Sequence, residues 1–185
     1  PMMQQWQECK NQAKGAILFF RLVDFYEAFE DDAQLVAKEL ELTLTQRQDT
    51  PMCGMPWHSS EGYIERLVAK GYRVAIAEQV EDPSKAKGLV SRKLVRIVSP
   101  ATLIPHAGVQ EKTSSFFAAI ATNGTKFGLA LLDIASATFT VFETESLRDL
   151  ANEVFRQSPK ELLIPRRFQA KYRDFLSEVQ QASKI

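Results

Sequence analysis

The chain has 185 residues, 45% of them hydrophobic, enough for a packed core arranged as one large or two small domains. Its 23 basic and 23 acidic residues cancel, which argues against a strong non-specific nucleic-acid binder while leaving room for local basic patches. No apolar run approaches the ~18 residues a membrane span needs, no basic-then-apolar leader is visible at the start, and Cys9 and Cys53 lie far apart without metal-ligand spacing, as expected of reduced thiols in a cytoplasmic protein.

In chain order, a short helix is expected over 2–11 and an apolar strand over 16–23. Asp24-Phe25-Tyr26-Glu27 follows, with the form of a capping box in which Asp24 accepts from the Glu27 N–H and Glu27 reaches back to Asp24. Phe25, Phe29, Ala33, Val36 and Leu40 then fall on one helical stripe, so periodicity predicts a helix over 24–40 that starts on a core phenylalanine. A strand over 42–47, a Pro/Gly loop over 51–58 and a helix over 60–70 come next, with Gly71 placed as a left-handed C-cap residue. Strands over 72–78 and 92–98 complete a mixed sheet. Lys85, Lys87, Arg92, Lys93 and Arg96 fall between 84 and 98 with no acid among them, which reads either as a solvated hairpin rim or as a set of phosphate contacts.

Residues 100–108, with Pro105 and Gly108, read as an inter-domain connection, giving domains at 1–110 and 111–185. In the second, a strand over 115–122 meets Asn123-Gly124, a hairpin signal because both residues tolerate positive φ. Strands over 127–134 and 137–142 continue a meander. Ser146 caps a helix with the stripe Leu147, Leu150, Ala151, Val154 and Phe155, and Pro159 lies beyond its end. A short buried strand over 161–164 and a last, mostly polar helix over 165–181 follow.

The chemistry that is missing narrows the function. No Gly-x-x-x-x-Gly-Lys-Ser/Thr segment occurs, so no phosphate-cradling loop for ATP is present. Asp133, Glu143, Glu145, Asp149 and Glu153 do not form the clustered set a two-metal nuclease needs. Cys53 and His58 are two candidate ligands where a structural zinc wants four, and as a nucleophilic pair they lack an orienting third group. His106, beside Pro105, is expected to be exposed. No metal site and no enzymatic activity are expected of this chain.

Several ordered stretches resemble the start of the MutS family of mismatch-repair proteins, bacterial type. They are Pro1-Met2-Met3-Gln4-Gln5, Phe19-Phe20-Arg21-Leu22 with Asp24-Phe25-Tyr26-Glu27-Ala28-Phe29, Leu42-Thr43-Leu44-Thr45-Gln46-Arg47, Pro51-Met52-Cys53-Gly54-Met55-Pro56-Trp57-His58, Val74-Ala75-Ile76-Ala77-Glu78-Gln79, and the run from Arg92 to Pro100. Two departures stand near the reading motif. The family usually has Gly where this chain has Val23, and the loop at Gln48-Asp49-Thr50 is shorter than in many relatives.

The resemblance implies an α/β (α+β) fold: a mixed-sheet mismatch-recognition domain over 1–110, then a partial or complete ribonuclease H-like connector domain over 111–185. It implies an N-terminal piece of a longer, homodimeric cytoplasmic protein whose ATPase, with ATP and Mg2+, lies beyond Ile185; the piece itself could be a monomer. The implied partners are double-stranded DNA with mismatches or small loops, and other repair proteins at the connector. Phe25 would wedge at the mispaired base from the minor groove of kinked DNA, and Glu27 would hydrogen-bond that base. As a carboxylate Glu27 would weaken binding to intact duplex; protonated, it would donate. Arg47, Met52, His58, Lys85, Lys87, Arg92, Lys93 and Arg96 are the expected phosphate and groove contacts, with Met52 equally readable as a core residue. Trp57 is expected to serve packing. The alternative is a protein-interaction module that does not read DNA by itself.

Overall fold

The computed structural model describes residues 2–81, 88–103 and 115–183. The chain divides into two compact units, Pro1–Ser99 and Pro100–Ile185. The expected boundary at 110/111, most of the expected connection, and Lys85, Lys87 and His106 lie outside the described residues.

Unit 1 is built on a six-stranded sheet. Helix α1 (Met2–Gln12) leads into β1 (Ile17–Leu22), β2 (Phe25–Phe29), α2 (Glu30–Leu40), β3 (Thr45–Arg47), β4 (Thr50–Pro56), a 3-10 turn (Trp57–Ser59), α3 (Ser60–Ala69), β5 (Val74–Gln79) and β6 (Arg92–Val98). The strand order is β3-β4-β2-β1-β5-β6, with β1 and β5 parallel and every other pair antiparallel. Alternation divides the core between the two faces. Leu18, Phe20, Phe29, Ala75 and Ala77 join Trp6 and Cys9 of α1 in one buried cluster. Their neighbours Phe19, Tyr26, Ala28 and Ile76 are buried on the opposite face, where α2 and α3 pack side by side.

Lys10 fastens α1 to the rest of the unit. Its Nζ donates to both carboxylate oxygens of Asp32 on α2, at 2.8 and 2.7 Å, and to the Ala16 carbonyl at 2.7 Å. Asp32 is only 8% exposed and also accepts from the Leu18 N–H at 2.9 Å.

The helix expected from Asp24 begins six residues later. Phe25–Phe29 is a strand that returns antiparallel to β1, with Leu22 opposite Phe25 and Phe20 opposite Glu27. There is no capping box: the N-cap of α2 is Phe29, which makes no side-chain cap. Phe29, Ala33, Val36 and Leu40 are buried as the stripe requires, but Phe25 is not part of that core. The Pro/Gly loop is also a strand, β4, with Pro51 and Pro56 near its two ends. The strand expected over 42–47 contracts to Thr45–Arg47. Gly71 behaves as expected. Its φ is +93°, its N–H donates to Val68, and Tyr72 donates to Leu67, closing α3 with a Schellman pair.

Unit 2 comprises β7 (Phe116–Thr122), β8 (Phe127–Asp133), β9 (Thr138–Thr144), α4 (Leu147–Gln157), β10 (Glu161–Leu163), α5 (Arg166–Lys171) and α6 (Arg173–Ser183). Its sheet runs β10-β7-β8-β9, with β10 parallel to β7. Ile120, Leu129, Leu131, Leu150, Val154, Phe168, Phe175 and Val179 are buried together as its core. Ser146 caps α4 by accepting from the Asp149 N–H. The Asn123-Gly124 hairpin is present, but only Gly124 takes a positive φ; Asn123 instead accepts from the Thr125 and Lys126 N–H groups through its side chain. The last helix is two helices, broken at Tyr172, and β10 is half-exposed rather than buried.

Candidate nucleic-acid interface

Val23 and Asp24 form a two-residue turn between β1 and β2. Val23 takes φ +53° and is 69% exposed. A positive φ in the first position of such a turn is glycine's preference, and a β-branched residue meets it with strain. Phe25 follows the turn and is 47% exposed, unusual for a phenylalanine set between two neighbouring strands. It stands opposite Leu22 on one side and Pro56 on the other.

Glu27 points to the same sheet face as Phe25, two residues on. It lies opposite Gly54, where an added Cβ would stand 3.5 Å from the Glu27 Cγ and 3.8 Å from the Phe25 Cδ1. Position 54 thus adjoins both side chains, and a Cβ there would meet them at ordinary van der Waals contact. Burial pushes the Glu27 carboxyl up from its ordinary value, and the Arg47 and Arg92 guanidinium groups oppose that shift without cancelling it. Arg47 Nη1 lies 3.0 Å from the Glu27 Oε2. It is aimed there by the β3–β4 hairpin, whose turn residues Gln48 and Asp49 take φ +47° and +66°. Two positive φ values in a two-residue hairpin are the mirror-image turn geometry that matches strand twist, which accounts for the short loop.

The remaining expected residues are dispersed. Met52 is half-buried and packs against the Trp6 and Phe29 cluster. His58 is exposed in the 3-10 turn, edge-on to Trp57. Trp57 does not serve core packing: it is 45% exposed, and the Arg21 guanidinium lies 4.3 Å over its ring. Arg92 is buried and donates to the Arg21 and Val90 carbonyls at 2.6 Å each, with its guanidinium over the Phe20 ring. Its hydrogen bonds run to this chain's own backbone rather than outward to phosphate. Lys93 and Arg96 are exposed on the edge strand β6, but they pair in register with Glu78 and Ile76 and so face the α3 side. Arg96 meets Glu61 of α3 at 3.4 Å. The α1 face thus gathers Phe25, Glu27, Arg47 and part of Met52 at its β2–β4 end, and leaves Lys93 and Arg96 on the reverse.

Sequence reasoning missed the group behind the turn. The Arg21 Nε donates to the Val23 carbonyl at 2.6 Å, and its Nη1 lies 3.8 Å from Glu78. The Tyr26 hydroxyl donates to the Glu78 carboxylate, and burial followed by Glu78 pushes the Tyr26 pKa up to about 12. Strand alternation alone would place Arg21 and Tyr26 on one face; nothing in the sequence ties Trp57 to them.

Cys9 and Cys53 are free and buried, and burial pushes the Cys53 thiol up to about 11, a resting value far from a nucleophile's. With Cys53 buried and His58 exposed, the two make no pair. Asp133 is buried, and its Oδ1 accepts from the Ala135 and Ser136 N–H groups, so it shapes the β8–β9 turn. Among the described residues no cluster of three metal-ligating side chains occurs, and no helix is long and apolar enough to cross a membrane.

Two family models match in order: MutS domain I over residues 1–107 and MutS domain II over residues 115–184. The chain is 54% identical over 181 residues to the DNA mismatch repair protein MutS of Protochlamydia amoebophila, covering 98% of this chain and 21% of that protein. It is 43% identical to the protein of the same name from Chlamydia muridarum, covering 100% and 23%. It is 49% identical to that of Desulfitobacterium hafniense, covering 89% and 19%. The chain therefore spans about a fifth of the length of the curated relatives it matches.

Proposed function

The chain belongs to the MutS family, and from that premise we propose that it supplies the first two units of a longer DNA mismatch-repair protein, with unit 1 reading mispaired duplex. One observation carries the reading: Phe25, half-exposed at the start of β2, two residues along the same strand and on the same face as Glu27. A mispaired step stacks poorly, so opening and kinking it from the minor groove costs less than at a matched step, where an apolar wedge costs on the order of a few kcal/mol. That difference becomes a difference in affinity. The Phe25 ring can stack on any base, which suits a reader of defects rather than of sequence.

Glu27 hydrogen-bonds the displaced base. Burial makes it hold a proton more tightly than an exposed glutamate, which supports donation from the protonated form. Its pairing with Arg47 supports the other route, in which a carboxylate weakens binding to intact duplex and is accepted only where a base supplies a donor. Arg47 and His58, with Lys85 and Lys87, position the duplex through phosphates, Met52 lies at the groove floor, and Arg92 acts from inside by tying the start of β6 to the end of β1 across β5; Lys93 and Arg96, on the reverse face, take no part at this site. ATP and Mg2+ act elsewhere in the longer protein, which is a homodimer.

A second reading, docking of other repair proteins on unit 2, is favoured by a separate observation. The register puts Leu163, Ala119, Ala130 and Val141 in one row on the sheet face away from the core, and Leu163, Val141 and the neighbouring Phe139 are exposed. The test of the first reading is fluorescence anisotropy of the longer protein on a G·T duplex and on the matched duplex across a salt series. A preference for G·T, with affinity falling as salt rises, supports it. Equal binding of both duplexes overturns it and leaves docking as the role.

A further inference from the structure

Two carbonyls in the turn before Phe25 are held from outside the turn. Val23 O accepts from the Arg21 Nε at 2.6 Å, and Asp24 O accepts from the Trp57 backbone N–H at 3.0 Å. The two donors' side chains are themselves stacked, with the Arg21 guanidinium 4.3 Å over the Trp57 ring and 5.7 Å from the Tyr26 ring. Glu78 accepts from the Tyr26 hydroxyl and lies near the far end of Arg21, closing the group. Trp57 directly follows Pro56, which stands opposite Phe25. The turn so held contains Val23, whose left-handed backbone a β-branched residue does not favour by itself.

We propose that Arg21 and Trp57 clamp the β1–β2 turn and thereby fix Phe25 in its reading position. The inference rests on the reading of unit 1 given above, and both are positioning residues, since they lie behind the wedge. Discrimination depends on forcing every duplex to accept the wedge. A wedge on a loose turn can swing aside and let a matched duplex bind unkinked, so a broken clamp erodes the preference for a mismatch and leaves phosphate-driven binding alone. The clamp also accounts for Val23: a turn held at both carbonyls tolerates a residue that an unsupported turn would not.

The test uses the longer protein that carries these units and reads the ratio of the matched-duplex to the G·T dissociation constant. Wild type, Phe25→Ala, Trp57→Ala, Trp57→Tyr and Trp57→Ala combined with Val23→Gly are compared. Trp57→Ala is expected to lower the ratio by about threefold to tenfold, the scale of a lost cation–π contact, with matched-duplex affinity kept or raised. Trp57→Tyr, which retains a ring for the guanidinium, restores the ratio. Val23→Gly recovers part of it in the Trp57→Ala background, because glycine adopts the turn conformation without support; a side chain serving stability alone would show no such rescue. If Trp57→Ala does not fold, Arg21→Lys decides, since lysine keeps the charge but has neither the planar face nor the Nε–H. It is expected to lower the ratio. If Phe25→Ala loses the ratio while Trp57→Ala or Arg21→Lys keeps it, the clamp is wrong and the reading stands. If the wild type shows no preference, the reading fails and the clamp's role fails with it.

Discussion

Glu27 and Arg47 meet at 3.0 Å across β4, the strand that separates their own two strands. Gly54, opposite Glu27 on that intervening strand, puts no side chain between them. The Glu27 carboxyl, two residues along the strand from the proposed wedge, is therefore held by the Arg47 guanidinium. This ties the short β3–β4 turn, which aims Arg47, to the chemistry at β2.

Removing that carboxyl should relieve repulsion toward intact DNA. Glu27→Ala in the longer protein is expected to strengthen matched-duplex binding by about threefold to tenfold, the effect of one removed unfavourable charge. Anisotropy on the matched duplex checks it; unchanged or weaker affinity would mean that the carboxylate does not act against intact duplex.

The same group gives a pH dependence. Folding raises the Glu27 pKa, chiefly through burial, so the native state binds that proton more tightly than the unfolded chain. Stability from this group is therefore present below the ordinary glutamate value and is lost as pH rises through the raised one. Glu27→Gln cannot titrate. Its melting temperature should match that of the wild type in acid and rise above it as pH increases toward neutral. A constant gap at every pH would show that Glu27 carries no such shift.

At Val23 the expectation is a gain. Glycine adopts the left-handed backbone seen there without the cost that an L-residue bears, so Val23→Gly should be stabilised by about 0.5–1 kcal/mol after the extra freedom of the unfolded chain is subtracted. Urea unfolding of the chain measures it. A loss of more than about 1 kcal/mol would show that Val23 is not strained.

Lys10→Met should be among the costly substitutions in unit 1. It leaves Asp32, 8% exposed, with the Leu18 N–H still donating to it but without its cation. Breaking a largely buried pair from one side costs about 2–4 kcal/mol after allowing for the partial exposure of Lys10. Lys10→Met together with Asp32→Asn should recover part of that loss in the same melts. A mild effect of the single change would mean that water replaces the lysine.

The order of strands and helices was legible because most segments carry their own signals. Gly71 ends α3 where a left-handed residue is needed, Ser146 caps α4, and Asn123-Gly124 turns β7 into β8. The site was less legible, for a physical reason. Phe25, Phe29 and Ala33 are spaced for a helix, yet Phe-Tyr-Glu-Ala-Phe also alternates as a strand. Pairing with β1 and β4 decides between them, and pairing is not local. That outcome moved Phe25 from a core position to an exposed one. Pro51 and Pro56 suggested a loop because proline interrupts a ladder, but both sit near the ends of β4 where the interruption matters least. The basic run from Lys85 to Arg96 looked like one patch; strand alternation turns Arg92 into the core and Lys93 outward. The break at Tyr172 has no glycine or proline to announce it.

The most direct test of the account is the behaviour of Phe25→Ala in the longer protein, measured by anisotropy on a G·T duplex and its matched counterpart at moderate salt. Phe25 is already about half exposed, so the variant should lose no more than about 1 kcal/mol of stability. The account predicts that it folds as the wild type does, binds the matched duplex comparably and no longer prefers G·T. A variant that keeps the preference, or one that loses it only because the unit has melted, would contradict Phe25 as the reading wedge.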